Sequence, residues 1–179
     1  MKKRTAFGVA IVVILALALG ALGGYLAAQS TTNQSTTAQV TQLSDGKPHI
    51  VSASTLTHLA PIIGIAYWAG ERPDSKIALT VTESTIYVRY LRPTAAADSA
   101  KPTLTVATYR NIDGFGSLTA QSTASHAQSG AVIAVKATDP LSTYFAFPSS
   151  TFEVEVYSPM SGESTKLVNN GSVTPITAR

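Results

Sequence analysis

Residues 76–91 read Lys-Ile-Ala-Leu-Thr-Val-Thr-Glu-Ser-Thr-Ile-Tyr-Val-Arg-Tyr-Leu, and this stretch decides the fold class. Its two runs, 76–82 and 85–91, are rich in the β-branched and aromatic residues that strands favour. Only Glu83-Ser84 separates them, and two strands joined by so short a link pair in the antiparallel direction. The sequence therefore predicts a β-hairpin.

The same pattern recurs on both sides of this hairpin. Further strands are predicted at 65–69, 103–109, 131–137, 144–147, 151–157 and 173–177. The last of these contains Pro175, which lacks a backbone donor and fits only an edge strand. Because the links between consecutive strands are short, we expect one mostly antiparallel sheet.

About three short helices accompany the predicted strands. The first covers 52–63, with Ser52 or Ser54 as its cap, and stops near Ala60 because Pro61 cannot donate a backbone hydrogen bond. The second begins near Asp113 or Ser117 and reaches about residue 126.

The third helix follows Ser158-Pro159, a pair that suits a helix start, and places Met160, Leu167 and Val168 on its inner face. Helices covering an antiparallel sheet give an α+β domain, which we place at 45–179.

An uncharged segment of 23 residues, 6–28, precedes that domain. As a helix it would be ~34 Å long, enough to cross a bilayer, which makes the lipid bilayer an expected partner. Lys2, Lys3 and Arg4 lie just before it, so we expect a single-pass signal anchor with residues 1–5 in the cytoplasm and the domain outside. A cleaved signal peptide is the alternative; the apolar run continues past its two possible cleavage sites, which favours retention.

Two other features of the N-terminal region bear on its behaviour. Gly20 and Gly24 form a G-x-x-x-G, the spacing through which membrane helices can associate with one another. Residues 29–44 are almost all Ser, Thr, Gln and Asn, a composition that predicts a flexible linker.

Composition excludes several function classes. The net charge of +3 comes from the basic end, because the remaining chain has ten basic and ten acidic residues; a nucleic-acid partner is therefore not expected. There are no cysteines, which excludes a catalytic thiol or a thiolate zinc site. His49, His58 and His126 lack metal-ligand spacing, and we expect no cofactor.

The candidate binding surface consists of aromatic and guanidinium groups, namely Trp68, Arg72, Tyr87 and Arg89. Exposed together, such groups would bind a glycan or a peptide. The alternative is that Trp68 belongs to the core and that Arg89 forms an ion pair on the sheet surface.

Candidates for catalysis are sparse. Glu153 and Glu155 alternate with valines, so their carboxylates share one strand face and could act as an acid and base pair, although a half-exposed strand has the same pattern. Ser164 lies near Lys166, but a solvated helix surface explains both. A pocket holding two or more of His58, Glu83, Asp113 and Glu153 would favour an enzyme.

Four short segments of the sequence resemble small membrane-anchored proteins of high-GC Gram-positive bacteria. They are Tyr-Trp-Ala-Gly-x-Arg-Pro at 67–73, Ile-Tyr-Val-Arg-Tyr-Leu at 86–91, Leu-Thr-Val-Ala-Thr-Tyr at 104–109 and Phe-Pro-Ser-Ser at 147–150. The resemblance implies an extracytoplasmic location and a common fold, and it assigns no catalytic residue. Because clustered acids, histidines and nucleophiles are sparse, we expect a non-catalytic binding or assembly module of the cell envelope, whose partner is another envelope protein or a glycan. The alternative is an envelope hydrolase or transferase.

Overall fold

The predicted hairpin belongs to an eight-stranded antiparallel sheet. The structure is a computed structural model and describes residues 43–121, 123–127 and 129–178. Its strands are β1 His49–Val51, β2 Tyr67–Trp68, β3 Lys76–Val81, β4 Thr85–Leu91, β5 Thr105–Arg110, β6 Ser125–His126, β7 Val132–Ala134, β8 Ser142–Ala146, β9 Phe152–Tyr157 and β10 Thr174–Pro175. The helices are α1 Ala53–Ile63, α2 Gly114–Thr119 and α3 Glu163–Asn169.

The predicted membrane segment 6–28, with Gly20 and Gly24, lies outside the described residues, as do 1–5 and most of the linker 29–44. Within the described ranges, no helix combines the length and the apolar character that crossing a bilayer requires.

Two runs of strands build the main sheet from opposite edges. The strand order is β1-β3-β4-β5-β9-β8-β7-β6, so the chain enters at one edge, reaches β5, crosses to the other edge and returns to β9. Strands β5 and β9 therefore meet in the centre, with Val106 opposite Val156 and Thr108 opposite Val154. The predicted α+β domain with one mostly antiparallel sheet and three helices is confirmed.

One face of the sheet, which we call the inner face, carries most of the core. Leu79, Val88, Val106 and Val156 follow one another across it and are fully buried. Helix α1 packs on β3. On the inner face, the Thr108 side chain is hydrogen-bonded to β2, and the Thr143 side chain is hydrogen-bonded to α3.

The opposite face is only partly covered. Helix α2 packs on β7 and β8, where Leu118 joins Val132, Ala134, Tyr144 and Ala146 in a small second cluster. Beyond α2, this face presents polar and aromatic side chains of β4, β5 and β9.

Helix α1 begins at the predicted cap but ends later than predicted. The Ser52 hydroxyl accepts the Thr55 N–H at 3.0 Å, and Gly64 ends the helix with a positive φ of 76°. The predicted end at Ala60 is wrong, because α1 continues through Pro61 to Ile63. A proline in the last turn removes one hydrogen bond, and burial of Ile63 favours the extra turn.

Helix α2 is shorter than predicted. It ends at Thr119, and Ser125 and His126 form the edge strand β6 instead of a last helical turn. Gly114 and Gly116 lower its helix propensity, while the Asp113 carboxylate caps it by accepting the Gly116 N–H at 2.9 Å.

Helix α3 begins later than predicted, at Glu163 instead of after Ser158-Pro159. The Ser158 hydroxyl accepts the Met160 N–H and donates to Glu163, so it closes a turn that precedes the helix. Met160 is 66% exposed and is not on the inner face, whereas Leu167 is buried as predicted.

Strands β2 and β10 form a separate two-stranded sheet over the inner face. The predicted strand 65–69 is reduced to Tyr67–Trp68, and Pro175 pairs at its edge. The Tyr67 N–H donates to the buried Thr108 hydroxyl at 3.0 Å, which fixes this small sheet on β5.

Candidate functional site

Four central strands place polar side chains in register on the partly covered face. Tyr87, Ala107, Glu155 and Tyr144 form one cross-strand row, and Thr85, Tyr109 and Glu153 form the next. Residues from both rows line a cleft of about 410 Å³. We call it the tyrosine–carboxylate cleft, and its lining residues are Ser84, Thr85, Tyr109, Arg110, Ile112, Lys136, Tyr144, Glu153 and Glu155.

Glu155 is held by two hydroxyl groups from different strands. Tyr109 donates to Oε2 at 2.5 Å, and Ser142 donates to Oε1 at 2.6 Å. Burial and the hydrogen bond to this carboxylate raise the pKa of Tyr109, so the phenol stays protonated as a donor. Each carboxylate oxygen of Glu155 is therefore fixed in position by one donor.

Glu153 is only 6% exposed and has a cation as its partner. The Lys136 ammonium lies 3.4 Å from Glu153 Oε1 and 3.7 Å from the centre of the Tyr144 ring, over its face. Burial raises the pKa of Glu153 despite the opposing effect of Lys136. The ring is fixed in turn, because Tyr144 donates to Asp139 at 2.8 Å; burial and this bond raise the pKa of Tyr144.

The close approach of α2 accounts for the burial of Glu153. A Cβ atom on Gly114 would lie 2.7 Å from the Glu153 Cβ and 2.9 Å from the Phe152 carbonyl oxygen. Glycine is therefore needed where α2 crosses β9, and the contact keeps the first carbons of Glu153 away from water.

No family model, curated protein or solved structure matches this chain. The chemistry of the cleft is therefore inferred from its own geometry. Among residues 43–121, 123–127 and 129–178, no group of three or more His, Cys, Asp or Glu side chains is placed to hold a metal ion.

The predicted binding surface is divided between the two sides of the sheet. Trp68 is half-buried in β2, on the inner side. Arg72 lies on that side as well, where its guanidinium stacks 5.6 Å from the centre of the Tyr90 ring and is 3.4 Å from Glu163. Burial raises the pKa of Tyr90 to about 12, against the opposing effects of the Ala69 N–H and Arg72.

Tyr87 and Arg89 lie on the opposite side, on the face of the cleft. Arg89 donates to the Ser99 carbonyl at 2.6 Å and so fastens the loop between β4 and β5. The Tyr87 ring meets the Tyr109 ring edge to face, with 6.4 Å between the ring centres. Tyr87 is thus the member of the predicted set that lies beside the cleft.

The predicted acid pair does share one face, since Glu153 and Glu155 both line the cleft. Of His58, Glu83, Asp113 and Glu153, the cleft is lined by Glu153 alone. The Ser164 hydroxyl is buried 3.1 Å from the Thr143 hydroxyl, which accounts for it without Lys166.

None of the three histidines, all within the described residues, lines the cleft. His49 pairs with Asp45 at 2.9 Å, and His58 donates to the Ser54 carbonyl at 2.8 Å. His126 lies against the Phe115 ring.

Sequence reasoning missed the partners of the two glutamates, namely Tyr109, Ser142, Tyr144 and Lys136. The two tyrosines alternate with inward-facing residues in predicted strands, so the sequence could predict on which face of the sheet they lie. The sequence could not predict which residues lie beside them, because Tyr109 and Glu155 are 46 residues apart and meet only through the pairing of β5 with β9.

Proposed function

We propose that this chain is a membrane-tethered extracytoplasmic binding module and that the tyrosine–carboxylate cleft is its ligand site. The uncharged segment 6–28 behind Lys2, Lys3 and Arg4 supports the tether and the orientation. The resemblance to small membrane-anchored proteins of high-GC Gram-positive bacteria supports the same location. The ligand is a component of the cell envelope, either a protein or a glycan.

The observation that supports the binding role is that the polar side chains of the cleft are fixed by hydrogen bonds to one another and to their neighbours. Glu155 is bonded by Tyr109 and Ser142, Glu153 by Lys136, and Tyr144 by Asp139. A preorganised set of this kind loses little conformational entropy when a ligand binds.

An envelope hydrolase is the second candidate, and the environment of Glu153 is the observation that favours it. Burial raises the pKa of Glu153, while Glu155 accepts two hydrogen bonds on the same face. Two carboxyl groups in contrasting environments can divide the roles of acid and base. If the chain is a hydrolase, Glu153→Gln removes the acid and abolishes turnover of envelope glycans; if it is a binding module, wild type and variant are equally inactive.

Site-specific photo-cross-linking in intact cells tests the binding role. Ile112 lines the cleft and is 41% exposed, so Ile112→p-benzoylphenylalanine places a reactive group at its rim. Met160→p-benzoylphenylalanine is the matched control, because Met160 is 66% exposed beside α3, away from the cleft.

We expect an adduct from position 112 that is absent from position 160 and disappears when Tyr87→Ala is added. The same adducts from both positions, or an adduct that survives Tyr87→Ala, would refute the cleft as the ligand site.

A further inference from the structure

The half of the cleft around Glu153 shows what chemistry the site accepts. There the Lys136 ammonium lies between a carboxylate oxygen at 3.4 Å and the face of the Tyr144 ring at 3.7 Å. A carboxylate and an aromatic face together attract an alkylammonium group, by charge and by the ring quadrupole. Lys136 is therefore an ammonium ligand supplied by the chain itself.

The other half repeats this chemistry without a cation. Glu155 lies beside Tyr109, whose ring meets Tyr87 edge to face. Within the part of the chain that the structure describes, no Lys, Arg or His side chain forms an ion pair with Glu155. The Arg110 guanidinium also lines the cleft, and its Nη1 and Nη2 donate to the Ile63 and Thr82 carbonyls.

The charged groups that line the cleft are balanced in number. The lining carries two carboxylates, Glu153 and Glu155, and two cations, Lys136 and Arg110. Lys136 pairs with Glu153, and Arg110 donates to two backbone carbonyls. Glu155 is thus the carboxylate that can attract a further cation to the cleft. Its volume of about 410 Å³ falls within the ordinary range for small-ligand sites.

We propose that Glu155, Tyr87 and Tyr109 bind a primary alkylammonium group of the ligand, as Glu153 and Tyr144 bind Lys136. This inference rests on the proposed function, of which it names the ligand chemistry. A bidentate guanidinium would need the remaining lone pair of both carboxylate oxygens, each of which already accepts a hydroxyl. A compact ammonium needs only one remaining lone pair.

The primary ammonium can come from a lysine side chain or from an amino sugar, and two probes distinguish these sources. The full-length protein, in a nonionic detergent, is titrated calorimetrically with Nα-acetyl-lysine methylamide and separately with glucosamine. The uncharged controls are the Nε-acetylated lysine derivative and N-acetylglucosamine. We expect at least one amine to bind about tenfold or more tightly than its acetylated form.

Three variants localise that binding. Glu155→Gln and Tyr87→Ala should each weaken it about tenfold, and Tyr87→Phe should retain it because the ring remains. Glu83→Gln is the matched control: it removes the same charge from the exposed β3–β4 turn and should leave affinity unchanged. Melting curves of each variant confirm that the fold is intact, and Tyr87→Ala serves as the second variant if Glu155→Gln unfolds.

Equal binding of amine and acetylated probes, no binding of either amine, or equal losses in Glu155→Gln and Glu83→Gln would overturn the ammonium assignment. The proposed function stands or falls separately, on the adduct from position 112. An adduct without amine binding means that the cleft binds a ligand of other chemistry.

Discussion

Replacing Tyr67 with alanine should destabilise the domain far more than replacing its neighbour Trp68. Tyr67 is 7% exposed, and its ring lies 5.4 Å from that of Phe145, 5.7 Å from Phe152 and 6.5 Å from Phe147. Truncating a buried aromatic residue typically costs ~3–5 kcal/mol. The half-buried Trp68 loses less area, and we expect about 1–2 kcal/mol.

Chemical denaturation of fragment 43–179 measures this difference. These residues lie in the compact unit Gln42–Arg179, and far-UV circular dichroism reports unfolding whether or not the tryptophan is present. A loss of ~3–5 kcal/mol is a large part of the ~5–15 kcal/mol available to such a domain. Tyr67→Phe is the control, because it keeps the ring and should cost less than about 1.5 kcal/mol.

Equal losses in Tyr67→Ala and Trp68→Ala, or a larger loss in the tryptophan variant, would refute the assignment of the aromatic core to Tyr67. The expectation from sequence alone allowed Trp68 that place, since it is the only tryptophan and lies in an apolar run.

Further outcomes follow from other contacts. Gly114→Ala should destabilise the domain by about 1–3 kcal/mol in the same denaturation assay, because the added methyl group overlaps Glu153; an unchanged midpoint would contradict the close approach of α2. Tyr90→Phe should cost about 1–3 kcal/mol, because the Ala69 N–H donates to the Tyr90 hydroxyl at 2.8 Å and would lose its acceptor. Burial raises the pKa of Glu153 above its unfolded value, so the folded state holds more protons and stability falls as pH rises between those two values. In Glu153→Gln, melting temperatures across that window should fall less with pH than in wild type, and parallel curves would count against the buried carboxylate. Finally, a reporter active only in the cytoplasm should be inactive when fused after Arg179, and activity there would overturn the orientation.

Local sequence pattern was sufficient where a strand or cap depends on its own residues. The strand 85–91 has the predicted bounds because its apolar and β-branched residues extend from one turn to the next. The Ser52 cap of α1 depends on one side chain, and it was among the predicted caps.

Elements that depend on distant partners had no such pattern. His49–Val51 is three residues long, and it is a strand because β3 offers it a paired edge. Ser125 and His126 are exposed and polar, and only pairing with β7 makes them strand instead of helix. Tertiary pairing therefore overrides local propensity at both edges of the sheet.

The cleft shows the same limit for function. Glu153 and Glu155 are chemically identical, occupy one strand and face one way, so the sequence gives no reason to distinguish them. What distinguishes them is what packs beside each: the glycine of α2 and the Lys136 ammonium at Glu153, and two hydroxyl groups at Glu155. Glu153 is thereby paired with the Lys136 ammonium, while Glu155 has no cation partner among the described residues and keeps unused lone pairs. The binding chemistry that we propose thus depends on the placement of α2 and of the Lys136 side chain, and on the strand register that brings Tyr109 beside Glu155.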